Sequence, residues 1–110
     1  MATTVYEVLA EPTRRRILDL LLEGERPVGE LVERLAVAQP NVSKHLRALS
    51  DAGLVRVRPD GQRRIYALRP EPLRELDAWL APYRRAWRTR GSPTWRVSTP
   101  PRSVVEEPSR

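Results

Sequence analysis

A chain of 110 residues with a 40% hydrophobic fraction has room for one modest core and no second, catalytic domain. Its formal net charge of +6 favours a polyanionic partner, although the bias among its 20 basic residues, of which only Lys44 is a lysine, also fits GC-rich coding. The absence of cysteine excludes disulfides, thiolate metal sites and cysteine nucleophiles. No apolar run approaches the roughly 20 residues of a membrane span and the first residues lack an apolar signal core, so a soluble, cytoplasmic protein without a membrane partner is expected.

The pattern predicts a short helix over residues 3–10 presenting Val5, Val8 and Leu9. Pro12 suits the first turn of a second helix, over 12–23, whose Ile17, Leu18, Leu21 and Leu22 form an apolar face that ends at Gly24. Arg14, Arg15 and Arg16 stand in its first turn, where the macrodipole disfavours cations, so local stability does not account for them. They are either phosphate contacts or a solvated run in which Arg15 pairs with Asp19.

Residues 28–66 carry the most information. Val28, Leu31, Val32 and Leu35 recur at i, i+3, i+4 and i+7, which predicts a helix over 28–35. After a break at Val37 and Ala38, the pattern resumes over 39–52 with Val42, Leu46 and Leu49, and Gly53 offers the left-handed position that ends a helix. Two helices so close in sequence must cross, as a helix-turn-helix pair does. On a helical projection, Pro40, Ser43, Lys44 and Arg47 lie opposite the apolar face, with Gln39 and Asn41 at the N-terminal end. Lys44 and Arg47 suit phosphates or guanine edges, Gln39 and Asn41 suit adenine, and Ser43 suits either phosphate or base. Asp51 lies on the same side two turns later, so the N-terminal half is expected to enter the major groove. His45, the one histidine, falls near the edge of the buried face, where packing or a phosphate contact from a ring nitrogen are both open and catalysis is not expected.

Strands are predicted over 54–58 and 63–68, with a turn at Pro59, Asp60, Gly61 and Gln62. This hairpin carries Arg56, Arg58, Arg63 and Arg64. Four arginines on an exposed ribbon suit a phosphate backbone or a minor groove, and they would equally protect a sheet edge from aggregation. Arg58, Arg63 and Arg64 are taken as DNA contacts, and Arg56 is held back because its side chain could face the body.

From Glu71 to about residue 89 a longer helix presents Leu73, Leu76, Leu80, Tyr83 and Trp87, three and four residues apart, with Trp79 alongside. So small a domain cannot cover all of this stripe, which points to a second copy of the chain packed against it, with Val5, Val8 and Leu9 contributing. Pro82 is expected to kink or divide the helix. Residues 91–110 contain four of the 11 prolines and show no period, so the chain is read as one domain over 1–90 followed by a disordered tail.

The fold expected is mostly α with a small β-hairpin, a winged helix-turn-helix, and the function expected is sequence-specific binding of double-stranded DNA by a homodimeric transcriptional regulator. The alternative is a winged helix used for protein or RNA contacts, against which the outward Lys44, Arg47, Arg63 and Arg64 speak. An enzyme is not expected: there is no glycine-rich phosphate loop and no carboxylate pair in a plausible pocket, and no cofactor is implied.

The segments EPTRRRILDLL, GELVERLAVAQPNVSKHLRALSDAGLVRVRPDGQRRIYAL and PEPLRELDAWLAPYRRAW together resemble the ArsR-type, or arsenic-repressor-like, family of bacterial winged-helix repressors. The resemblance covers residues 3–88, and QPNVSKHLRALSDAGLV followed by a wing is its most specific part. It implies a homodimer joined through its first and last helices on an inverted-repeat operator, with Gln39, Pro40, Asn41, Ser43, Lys44, His45 and Arg47 in the recognition helix. The metal-sensing branch carries cysteines before the turn, where this chain reads ELVERL. Another branch binds metal through Asp and His on the last helix, where this chain has Asp77 and no histidine. The chain therefore resembles the metal-independent subgroup, with any small-molecule effector unspecified. Glu11 replaces the family's usual aspartate before proline, which implies a weaker start to that helix. Ala38 replaces the usual serine or threonine cap, at a cost of about 1 kcal/mol.

Overall fold

The computed structural model describes residues 4–90. Helices α1 (Val5–Leu9) and α2 (Pro12–Leu22) are followed by strand β1 (Arg26–Pro27) and helices α3 (Val28–Leu35) and α4 (Gln39–Asp51). Strands β2 (Val55–Asp60) and β3 (Arg63–Leu68) and helix α5 (Leu73–Arg90) complete the order. Among the described residues this is a mostly helical protein with one small antiparallel sheet in the order β1-β3-β2. Contacts divide the chain into Met1–Ala78 and Trp79–Arg110, a boundary inside α5. The expected tail, 91–110, lies outside the described residues.

Each helix of the first unit begins and ends for a local reason. Thr4 caps α1 through a reciprocal arrangement in which its hydroxyl accepts from the Glu7 N–H at 3.2 Å and the Glu7 carboxylate accepts from the Thr4 N–H at 3.0 Å. Helix α2 opens with Pro12 at its first position. Helix α3 ends at Ala36, whose φ of 56° is the one positive value on a non-glycine residue among those described. Helix α4 ends in a Schellman arrangement: Gly53, at φ +77°, donates to the Ser50 carbonyl, and Leu54 donates to the Leu49 carbonyl, both at 2.9 Å. The left-handed turn at Gly53 delivers Leu54 into the core beside Leu49, both fully buried.

The core is formed by Val5, Val8, Ile17, Leu18, Leu21, Leu31, Leu35, Val42, Leu46, Leu49, Leu54 and Val55, with Leu9 and Leu73 packed against it half-buried. Val5 and Val8, expected where two copies meet, are instead consumed in this chain's own core, because a five-residue amphipathic helix has only one apolar face to bury. Leu22, expected on the buried face of α2, is 74% exposed; Ile17, Leu18 and Leu21 fill that face, and Leu22 lies on the last turn beyond it.

The hairpin is longer than expected, with Pro59 and Asp60 belonging to β2. Asp60 pairs with Arg63, which leaves a two-residue turn of Gly61 and Gln62. Gly61 has φ +65° and Gln62 does not turn positive, the combination of a type II′ turn, whose twist matches the strands it joins. Strand β1 was not expected at all. It pairs Arg26 with Tyr66 and Pro27 with Ile65, so that β3 becomes the central strand. Proline has no N–H to donate and is tolerated here because β1 is an edge. Pro82 does not divide α5, which runs unbroken through it.

Candidate nucleic-acid interface

The recognition helix anticipated from the sequence is α4. Val42, Leu46 and Leu49 are buried, while Gln39, Pro40, Asn41, Ser43, Lys44 and Arg47 are exposed and His45 is half-buried. The side chains therefore divide as the 3.6-residue period requires, with the amide, hydroxyl and cationic groups directed outward from the first two and a half turns. Ala38, at the N-cap, makes no side-chain capping bond, and its carbonyl accepts from Asn41 and Val42 at 3.0 and 3.1 Å.

The three arginines at the start of α2 find specific partners. Arg15 donates to the Leu9 carbonyl at the end of α1 at 2.6 Å, and Arg16 to the Leu35 carbonyl at the end of α3 at 3.5 Å. Each thus places a cation against a helix C-terminus, where the dipole favours it. Arg14 donates from Nε to Nδ1 of His45 at 3.2 Å, joining α2 to α4. Asp19 was one of the two kinds of partner the sequence left open for Arg15, and the guanidinium goes to the Leu9 carbonyl. The first turn of α2 is a hub that ties down α1, α3 and α4, which accounts for cations at an unfavourable end of their own helix. Glu11 caps this turn, its carboxylate accepting from the Thr13 N–H at 2.9 Å. That backbone hydrogen bond holds the Glu11 carboxyl below its ordinary pKa, with the charge of the Arg14 guanidinium adding to the effect. The weak helix start expected from replacing aspartate is thereby made good by the longer side chain reaching the same backbone donor.

The register of the hairpin sorts its arginines onto two faces. Arg56, Arg58 and Arg63 share one face with Ile65 and Ala67, since residues paired across the ladder project together, while Arg64 shares the other with Pro59, Val57 and Tyr66. All four arginines are exposed, including Arg56, whose orientation the sequence left open. Two of them already meet carboxylates. Arg58 pairs with Glu25 on the α2–β1 connection, and Arg63 with Asp60 at 3.2 Å across the turn. The hydrogen bond to Glu25 raises the Arg58 pKa further. Sequence reasoning did not reveal the Glu25–Arg58 pair, which spans 33 positions, because only the sheet order brings that connection to the wing.

On α5, Leu73, Leu76 and Leu80 are half-buried, whereas Trp79, Tyr83 and Trp87 are exposed by 52%, 50% and 41%. The rings of Trp79 and Tyr83 lie 4.8 Å apart, tilted by 37°. Among the described residues, no group of three or more His, Asp or Glu side chains is arranged to hold a metal ion, and no helix is long and apolar enough to cross a membrane.

Residues 11–57, from the cap of α2 to the third residue of the wing strand β2, match the bacterial regulatory protein, arsR family. The chain is 46% identical over 71 residues to the HTH-type transcriptional regulator Rv2034 of Mycobacterium tuberculosis, a match taking in 64% of this chain and 66% of that relative, a little under two thirds of its length. It is 33% identical to the transcriptional repressor SdpR of Bacillus subtilis over 69% of this chain and 84% of SdpR. Among solved structures, the homodimeric winged helix-turn-helix DNA-binding domain of a possible ArsR-family regulator from Mycobacterium bovis is similar, with a TM-score of 0.60 and 35% identity over 70% of this chain and 71% of that one. With the fold, the helix-turn-helix and the wing in agreement with these relatives, the chain belongs to the ArsR family of bacterial regulatory proteins.

Proposed function

We propose that the protein is a sequence-specific, double-stranded DNA-binding repressor that acts as a homodimer on an inverted-repeat operator, in the cytoplasm and without enzymatic activity. The observation that carries this reading is α4: Gln39, Asn41, Ser43, Lys44 and Arg47 exposed over a buried Val42, Leu46 and Leu49. Amide, hydroxyl and cationic groups exposed at the N-terminal end of a helix are the types that read base edges and hold phosphates in a major groove. The wing supports it with Arg58, Arg63 and Arg64 beside the helix, of which Arg64 has no carboxylate on its own face of the ribbon. Two such helices related by a two-fold axis would reach successive major grooves about 34 Å apart. The exposed Trp79, Tyr83 and Trp87 favour pairing through α5, and similarity to a homodimeric domain agrees with it.

The experiment is a binding titration on a duplex that the protein itself enriches from a random-sequence pool. Lys44→Ala and Arg47→Ala are each expected to weaken this binding by about 1 to 3 kcal/mol without unfolding the domain, because neither side chain takes part in the core. Wild-type affinity in both variants would remove α4 from the groove.

The reading includes independence from metals. The chain has no cysteine, and its one histidine is engaged by Arg14. Zinc or arsenite at micromolar concentration is expected to leave DNA affinity unchanged in the same titration, whereas metal-induced release would place a ligand set on this chain. Regulation would then come from an apolar effector, a protein partner or the level of expression.

A further inference from the structure

We propose that Arg14 is a positioning residue for the recognition helix, which holds His45 so that the Nε2–H of its imidazole is offered to a DNA phosphate. The inference rests on the DNA-binding reading above and adds a residue, on a different helix, through which the α4 surface is set. Its starting point is the bond from Arg14 Nε to His45 Nδ1, 3.2 Å long, partly buried and spanning 31 positions of sequence. Guanidinium is a donor only, so a ring nitrogen that receives its N–H carries a lone pair. The single hydrogen of the neutral imidazole then belongs to Nε2, and the ring's rotation about its last torsion is stopped. Both nitrogens of His45 are thereby assigned opposite tasks, one as an acceptor toward α2 and the other as a donor pointing away from it.

The surroundings fit a presented donor better than a packing contact. His45 is half-buried, and it stands between exposed Lys44 and fully buried Leu46, one turn beyond exposed Asn41. It thus borders the polar face, and a phosphate held by Lys44 would lie within the same turn of helix. Arg14 is itself anchored in the first turn of α2, where the Glu11 carboxylate accepts from the Thr13 N–H and lies close enough to feel the Arg14 charge. Here the Nε edge is directed at a neighbouring helix.

Two substitutions at position 14 separate positioning from phosphate contact. The Nε2 of glutamine stands the same number of bonds from Cα as the Nε of arginine, so Arg14→Gln keeps a donor for His45 and removes the cation, while Arg14→Leu removes both. In 15N spectra of the free protein, His45 should be the Nε2–H tautomer in the wild type and in Arg14→Gln and become a mixture in Arg14→Leu. On the duplex enriched by the wild type, Arg14→Gln should stay within about threefold of wild-type affinity, while Arg14→Leu and His45→Asn should each lose roughly ten- to a hundredfold. In His45→Asn the amide oxygen stands in for Nδ1 toward Arg14, and nothing replaces Nε2. Circular dichroism on each variant checks that the helices are retained. A tautomer unmoved in Arg14→Leu overturns the positioning role. Equal losses in Arg14→Gln and Arg14→Leu, with a salt slope lower by about one, make Arg14 itself the phosphate contact. Wild-type affinity in His45→Asn removes the histidine from the DNA. A wild type that enriches no duplex overturns the DNA-binding reading and with it the phosphate contact, whereas the tautomer experiment, made without DNA, judges the Arg14–His45 link separately.

Discussion

The first turn of α2 shows how residues that violate a local rule are accounted for by their neighbours. Three consecutive arginines at a helix N-terminus oppose the dipole of that helix, yet Arg15 and Arg16 each reach the carbonyl end of another helix and Arg14 reaches His45. Glu11 supplies the negative charge that the turn requires. Its pKa is depressed in the folded protein by the Thr13 N–H, so its contribution to stability is present above the ordinary carboxyl range and is lost as the pH falls through the lowered value. Glu11→Gln is therefore expected to be less stable than the wild type at neutral pH, and the gap is expected to close in acid. Urea denaturation at pH 7 and at pH 3 measures it, and an equal gap at both pH values would mean that the charge plays no part. The sequence made the oddity of Arg14–Arg16 legible but not its resolution. A hydrogen bond to a carbonyl leaves no trace in residue type, and the partners lie 6, 19 and 31 positions away.

At the level of elements, periodicity served where a helix has one apolar face, and α3 and the start of α4 fall at the expected residues. It failed where structure depends on a backbone state or a short pairing. Strand β1 has only two residues, too few for any alternation, and one of them is a proline. Ala36 takes a left-handed conformation that glycine would normally mark, so the true end of α3 carries no signal in its side chain. The α4 start is a place where the sequence's implication holds: Ala38 offers no side-chain cap, and the Asn41 and Val42 N–H groups both donate to the Ala38 carbonyl. Ala38→Ser should accordingly stabilise the protein by about 1 kcal/mol, read as an increase in the urea midpoint with an unchanged slope. No gain would show that the helix entry is already satisfied by water or by the neighbouring turn.

Across the whole molecule, buried residues of α1 to β2 form one core, while Trp79, Tyr83 and Trp87 of α5 are exposed. The stripe of Leu73, Leu76, Leu80, Tyr83 and Trp87 was legible, but its division was not, because spacing cannot tell which members a single chain will cover. Leu73 packs against the chain's own core, while Tyr83 and Trp87 remain exposed. Trp87 is thus a better probe of assembly than the half-buried leucines, whose replacement would also disturb the chain that carries them. Trp87→Asp is expected to give monomers at tens of micromolar with the thermal unfolding of the winged helix retained, as measured by sedimentation and circular dichroism; a variant that stays dimeric would place the contact elsewhere. The placement of the aromatics has a spectroscopic consequence. All three tryptophans, Trp79, Trp87 and Trp95, fall within Trp79–Arg110, so the core of Met1–Ala78 contributes no indole emission. Tryptophan fluorescence of the unmodified protein should report what covers α5 and stay silent when the core alone loosens. A red shift on dilution, at constant ellipticity, would follow the separation of subunits without a label.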